Sequence, residues 1–115
     1  MEFSDTEVNI RDVLVLQIVG EIDLSSSARL RRRLQSLLER NHQVVVDLTE
    51  VSFIDSAGLR VLDEVHTSAR QNNVSLSIVC PPGRTLRLFE ITGLDDHFSI
   101  HPSLEVAVGS STADS

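Results

Sequence analysis

Runs of branched apolar residues alternate along the chain with stretches in which leucine recurs every three or four positions. The apolar runs are typical of β-strands, and QVVVDL lacks alternation, which favours a central strand covered on both faces. Arg11 and Asp12 are expected to form the first turn, and Gly20 to end the second strand. The predicted strands are VNI and VLVLQIV within residues 5–19, QVVVDL at 43–48, VSLSIVC at 74–80 and HFSIH at 97–101.

The leucine spacing predicts the helices. In the first helix, Leu30, Leu34 and Leu37 make one buried stripe, and one of the serines at 25–27 is expected to cap its start. Gly93 is expected to take the left-handed conformation that ends the third helix. The predicted helices are 25–40, 57–72, 85–93 and the short segment LEVAV at 104–108.

The resulting order of elements is ββαβαβαβα. Strands that alternate with helices pair in parallel through right-handed crossovers, and the first hairpin adds an antiparallel strand. The sequence therefore predicts an α/β fold, one domain with a mixed β-sheet packed by helices. We place this domain at residues 1–108 and a disordered polar tail, GSSTADS, at 109–115.

Composition and charge narrow the classes of partner. The 115 residues suit one domain, and the net charge of −7 argues against direct contact with nucleic acid or an anionic membrane surface. No segment approaches the roughly 20 apolar residues that span a bilayer. The N-terminus lacks the pattern of an export signal and a single cysteine excludes an internal disulfide, so we expect a cytoplasmic protein.

Three groups of side chains each allow two interpretations. Arg29 and residues 31–33 are either a basic patch for an acidic partner or a solvated helix face. Cys80 is either a redox thiol or a small buried hydrophobe. His97 and His101 are four positions apart, but on a strand that spacing does not converge on a metal, so no metal site is expected there.

Enzymatic chemistry is the next class to consider. Asp23, Asp47 and Asp55 each follow or end a predicted strand, at the edge where α/β sheets place their sites, and could together hold Mg²⁺ for a hydrolase. The chain lacks a P-loop and any lysine to bind phosphate, and each Asp is also an ordinary loop or cap residue. A catalytic triad is not expected, because His66 lies more than two helical turns from Ser56.

The segment DSAGL, which joins an apolar run to a helix, carries the most specific hypothesis. Ser56 at this helix start is either an N-cap or a residue that another protein modifies. A phosphate there would be stabilised by the helix dipole, and the small residues Ala57 and Gly58 leave the hydroxyl open to a large partner. Ser56 is then a binding switch rather than a catalyst.

The segments GEID at 20–23, VVVDLTEVSFIDSAGLRVL at 44–62 and LRLFEITGL at 86–94 resemble the STAS-domain anti-sigma factor antagonists of bacteria. The resemblance covers residues 7–108. It implies a STAS-like single domain, a four- to five-stranded mixed sheet packed by about four helices, with no enzymatic activity and no cofactor.

The same resemblance implies the partners. The antagonist binds an anti-sigma factor that is also a serine kinase of the histidine-kinase-like ATPase class, and this binding releases a sigma factor. The kinase phosphorylates the serine that matches Ser56, and a PP2C-type phosphatase reverses the modification. Asp23 matches an acidic residue that contacts the kinase. The remaining motif positions, expected to bind the partner, are Asp55, Ala57, Gly58 and Leu59.

Two expectations follow from the motif. If Gly58 lies in the first helical turn against the partner, Gly58→Glu should block binding and leave the fold intact; if Gly58 is needed for the backbone geometry, the fold should be lost. The alternative to a switch is a constitutive STAS interaction module of a stressosome-like or lipid-transport complex, in which Ser56 is only a helix cap.

Overall fold

The computed structural model describes the backbone of residues 2–113 and the side chains of residues 2–109. The strands are β1 (Ser4–Ile10), β2 (Val13–Ile22), β3 (Gln43–Ile54), β4 (Ser75–Val79) and β5 (Ser99–His101). The helices are α1 (Leu24–Arg40), α2 (Ser56–Gln71), α3 (Arg84–Thr92) and α4 (Leu104–Ala113), with a 3-10 turn at Leu94–Asp96. These elements confirm the predicted α/β class with a mixed sheet.

The five strands lie in the order β1-β2-β3-β4-β5. β1 pairs antiparallel with β2, and the other pairs are parallel, as the alternation of strands and helices predicts. Arg11 and Asp12 have positive φ angles of 52° and 66°, which are the left-handed conformations of a tight hairpin turn. The predicted first turn is therefore confirmed.

Alternate residues of the sheet face two separate apolar cores. Leu14 and Leu16 of β2 face the larger core, which also contains the buried leucine stripe of α1. Val13 and Val15 face the opposite side, where Ala107 of α4 packs. The sheet thus carries α1, α2 and α3 on one face and α4 on the other, which explains why its central strands show no polar face.

Two strands are longer than predicted. β2 continues past Gly20 to Ile22, because the chain passes a bulge there: Gly20 has a φ of 101° and the pairing register shifts between Gly20 and Glu21. β3 continues through residues 49–54, beyond the predicted strand at 43–48. As a result Ile22 and Ile54, the last residues of the two strands, lie side by side.

The C-terminal elements follow the prediction with one extension. Gly93 has a φ of 78° and ends α3, as expected. α4 runs to Ala113 and so includes five residues of the stretch for which we predicted a disordered tail; residues 114 and 115 lie outside the described residues. Buried Ala107 and Val108 hold the preceding part of α4 on the sheet. The domain boundary at residue 108 stays a prediction.

The structure decides between the interpretations of the arginines and of the cysteine. Arg33 lies 3.1 Å from Asp5 and 2.8 Å from Glu7, and Arg31 lies 2.8 Å from Glu64, so much of the positive charge of α1 is neutralised within the protein. This arrangement argues against a basic patch for an acidic partner. The thiol of Cys80 is buried, and burial raises its pKa to about 11, which makes it an inert hydrophobe rather than a redox thiol.

Candidate functional site

The ends of β2 and β3 bring two aspartates together at one edge of the sheet. Ile22 pairs with Ile54, and the N–H of Asp55 donates to the carbonyl oxygen of Ile22 at 3.1 Å. Asp23 and Asp55 are the residues that follow the two strands, and each one caps the helix that comes next. Two helices therefore begin beside each other, each at a carboxylate.

Asp23 caps α1 through one oxygen. Its Oδ1 accepts the backbone N–H groups of Ser25 at 3.0 Å and Ser26 at 3.2 Å, and the hydroxyl of Ser25 at 2.6 Å. The hydroxyl of Ser26 accepts the N–H of Asp23 at 3.0 Å, which completes a capping box. The hydroxyl of Ser25 is the main cause that lowers the pKa of Asp23. The prediction of a serine cap was wrong, because the carboxylate of Asp23, two residues before the first of these serines, is the stronger acceptor.

Asp55 joins both helices. Its Oδ1 accepts the N–H groups of Ala57 at 2.9 Å and Gly58 at 3.0 Å, which caps α2. Its Oδ2 accepts the N–H of Leu24, the first residue of α1, at 3.2 Å. One carboxylate thus holds the starts of α1 and α2 against each other.

Ser56 is the first residue of α2 and is exposed. Asp55 is the cap, so the alternative in which Ser56 itself caps the helix is wrong. Within the described part of the chain, the Ser56 hydroxyl makes no side-chain hydrogen bond. The residue is exposed, and its modification breaks no hydrogen bond of the hydroxyl within the described residues.

The remaining motif residues divide into two groups. Ala57 is partly exposed beside Ser56, whereas Gly58 and Leu59 are buried. A β-carbon on Gly58 would lie 2.6 Å from Cγ2 of Ile22, so the geometry contradicts our expectation that Gly58→Glu leaves the fold intact. Gly58 and Leu59 act on the site through packing, and a large share of the DSAGL signal reflects the fold.

Two exposed apolar residues near the site were not predicted from the sequence. Leu24 is 77% exposed and Phe53 is 46% exposed, although both flank the aspartates that cap the helices. Leu24 lies off the stripe that Leu30 and Leu34 define, and this displacement is the signal that could have revealed it. Single exposed apolar residues are common on protein surfaces, so Leu24 and Phe53 are candidate contacts because of their place in the chain, next to the capping aspartates.

Asp47 does not join the other two aspartates. It lies within β3 and is buried, and its Oδ1 accepts the N–H of Thr49 at 3.0 Å. Among the residues that the structure describes, no three His, Cys, Asp or Glu side chains converge as metal ligands would. The same residues include no helix of the length and apolarity that a bilayer crossing requires.

The sequence was compared with models of known protein families. The model of the STAS domain family matches residues 6–107. The chain belongs to the STAS domain family. Because the match includes both capping aspartates and Ser56, the candidate site lies within the domain that defines this family.

Similar STAS proteins are named as antagonists of anti-sigma factors. The chain is 36% identical over 104 residues to the anti-sigma-B factor antagonist of Bacillus subtilis strain 168, covering 90% of this chain and 94% of that protein. Among solved structures, an anti-sigma factor antagonist from Mycobacterium paratuberculosis superposes with a TM-score of 0.87 at 24% identity, over 95% of this chain and 93% of that one. The phosphorylated form of SpoIIAA, a Bacillus cell-fate determinant, superposes with a TM-score of 0.69 at 16% identity, over 96% and 99%.

Proposed function

We propose that this STAS protein is a cytoplasmic anti-sigma factor antagonist without enzymatic activity, whose binding is switched off by phosphorylation of Ser56. One observation carries the proposal: the hydroxyl of Ser56 stands exposed at the first residue of α2, while Asp55 supplies the cap. The fold therefore does not need this hydroxyl, and a kinase can reach it. The similarity to named antagonists supports the same function.

The partner we propose is an anti-sigma factor that is also a serine kinase of the histidine-kinase-like ATPase class. Its surface would accept the neutral hydroxyl of Ser56 together with exposed Leu24 and the acidic edge at Asp23 and Asp55. Occupation of that surface would release the sigma factor. A PP2C-type phosphatase would remove the phosphate and restore binding.

The hydrogen bonds of the site support a switch that acts by charge. A phosphate on Ser56 adds about −1.5 to −2 charges beside two carboxylates. Asp55 and Asp23 already accept the first-turn N–H groups of α2 and α1, so the helix starts offer the phosphate few donors. The dipole stabilisation that the sequence suggested is thereby weakened. The bound kinase would meet an added, poorly compensated charge, and the complex would separate.

Affinity purification from the native cytosol tests the proposal, with wild type, Ser56→Asp and Ser56→Ala as baits and mass spectrometry as the readout. We expect wild type and Ser56→Ala to retain a serine kinase, and Ser56→Asp to lose it. Thr67→Asp is the matched control, because Thr67 is an exposed residue further along the same helix and its substitution adds the same charge. It should retain the kinase.

Calorimetry with the recovered kinase then measures the difference. A switch predicts that the affinity of Ser56→Asp for the kinase is at least tenfold lower than that of wild type. A tenfold change corresponds to roughly 1.4 kcal/mol of binding free energy. Equal retention of one partner by wild type and Ser56→Asp would contradict the switch. That result would favour the constitutive STAS interaction module of a stressosome-like or lipid-transport complex.

A further inference from the structure

The two capping carboxylates differ in how their oxygens are used. Every hydrogen bond observed to the Asp23 side chain goes to Oδ1. Asp55 uses Oδ1 for its own helix and Oδ2 for the N–H of Leu24 on the neighbouring helix. Asp55 is therefore the carboxylate that ties the start of α1 to the start of α2.

We propose that Asp55 is a positioning residue: through Oδ2 it fixes Leu24 beside Ser56, so that the kinase meets an apolar anchor and the phosphorylatable hydroxyl in one arrangement. This inference rests on the proposed function and changes the role of Asp55, which the motif suggested as a direct contact. Asp55 acts on the partner through Leu24.

The exposure of Leu24 explains why a hydrogen bond is needed to hold it. Its side chain is 77% exposed, so packing contributes little to its position. The side chain of Asp55 cannot move freely, because its Oδ1 accepts hydrogen bonds from two N–H groups of α2. The backbone N–H of Asp55 also donates to the carbonyl oxygen of Ile22. Asp55 thus supplies a rigid acceptor for the N–H of Leu24, while the hydroxyl of Ser27 donates to its carbonyl oxygen at 3.0 Å.

Asn substitutions at the two aspartates separate this role from charge. Asp55→Asn and Asp23→Asn each remove one negative charge. The amide oxygen of Asn can replace Oδ1, so Asp23→Asn keeps the hydrogen bonds of its cap. In Asp55→Asn the amide NH₂ replaces Oδ2 and cannot accept the N–H of Leu24.

Solvent exchange of single backbone amides, measured by NMR on the whole protein, is the first test. We expect Asp55→Asn to speed the exchange of the Leu24 amide by roughly tenfold, the effect of losing one charge-assisted hydrogen bond, and to leave Ala57 and Gly58 protected. Asp23→Asn should leave the Leu24 amide as in wild type. An unchanged Leu24 amide in Asp55→Asn would overturn the proposal, whether or not a kinase is found.

A double-mutant cycle with the kinase recovered by wild type is the second test. Asp55→Asn and Leu24→Ala should each weaken binding by several-fold, and the double variant should lose no more than the larger single loss. Each variant should still accept phosphate with the wild-type kcat, while KM rises. Additive losses would mean that Asp55 contacts the kinase directly. Unchanged binding in Leu24→Ala would mean that Leu24 does not anchor the kinase. Either result overturns the proposal.

Discussion

Gly58 lies so close to Ile22 that a β-carbon placed on it would stand 2.6 Å from Cγ2 of Ile22, and 2.8 Å from Cγ1 of Ile54. Non-bonded contacts of that length essentially do not occur in folded proteins, so the side chains of Ile22 and Ile54, or the elements that carry them, would have to move. The first turn of α2 thus rests directly on the ends of β2 and β3.

Gly58→Ala is therefore expected to destabilise the protein by about 1–3 kcal/mol, the usual effect of overpacking. Urea unfolding followed by circular dichroism measures this change. Gly109→Ala is the matched control, because Gly109 also lies in a helix but has open space where an added methyl group would stand. The control should be neutral or stabilising by up to about 1 kcal/mol. Equal changes in the free energy of unfolding for the two substitutions would show that the close approach at Gly58 does not affect stability.

The pattern of apolar residues predicted the order of strands and helices, because each helix buries a regular stripe and each strand an apolar run. It failed at the bulge of Gly20 and over residues 49–54, where exposed residues interrupt the buried ones within one strand. A bulge changes which face a residue occupies, and a pattern of period two does not register that change.

The site was predictable in its position but only partly in its chemistry. The motif located Ser56 and both aspartates correctly at the ends of neighbouring strands. The sequence allowed both the aspartates and the serines as caps, because Asp and Ser are both favoured at that position, and the geometry assigns the caps to Asp23 and Asp55. Small residues were ambiguous too: Gly58 could serve access or close packing, and the structure shows packing.

The ring of His66 makes stability depend on pH. His66 is buried on α2 and packs edge-on against Phe98 with ring centroids 4.9 Å apart. Burial lowers the pKa of His66, the positive charges of Arg70 and His97 lower it further, and Asp63 opposes them. The unfolded chain takes up the proton near the ordinary value of about 6.5, whereas the folded chain does so only at lower pH. The free energy of unfolding should therefore fall as pH drops below about 6.5, until the folded ring itself titrates.

His66→Leu checks this dependence by removing the titrating ring and retaining an apolar side chain. The free energy of unfolding from urea titrations between about pH 7.5 and 5 should fall less steeply in the variant than in wild type. Any packing difference is present throughout this range and does not change the slope. Parallel slopes for the two proteins would mean that His66 stays neutral, or charges equally, in both states.

Arg33 holds the edge strand β1 on the domain. Its guanidinium lies 3.1 Å from Asp5 and 2.8 Å from Glu7, and the side chain of Asp5 is only 7% exposed. Arg33→Gln leaves that buried carboxylate with weaker partners, so we expect a loss of about 1–3 kcal/mol in the free energy of unfolding. Arg31→Gln is the control, because the Arg31–Glu64 pair is solvent-exposed and should contribute less than about 1 kcal/mol. Equal losses in urea unfolding would contradict a special role for Arg33.

The second pKa of a phosphate on Ser56 should respond to Asp23, because Asp23 and Asp55, the neighbour of Ser56, follow the paired ends of β2 and β3. A free phosphoserine loses its second proton near pH 6, and a neighbouring negative charge delays that loss. In protein carrying phosphoserine at position 56, Asp23→Asn should therefore lower the second pKa of the phosphate, because it removes a neighbouring negative charge. Titration of the ³¹P chemical shift measures this value directly.

Glu39→Gln is the control for this titration, because Glu39 is an exposed acid near the far end of α1. It removes the same charge and should leave the phosphate pKa unchanged. Arg60 is exposed one turn after Ser56 on α2 and favours the dianion, so Arg60→Gln should move the pKa upward, opposite to Asp23→Asn. If Asp23→Asn and Glu39→Gln have the same effect, the phosphate senses only the net charge of the protein, and the acidic edge does not act on it locally.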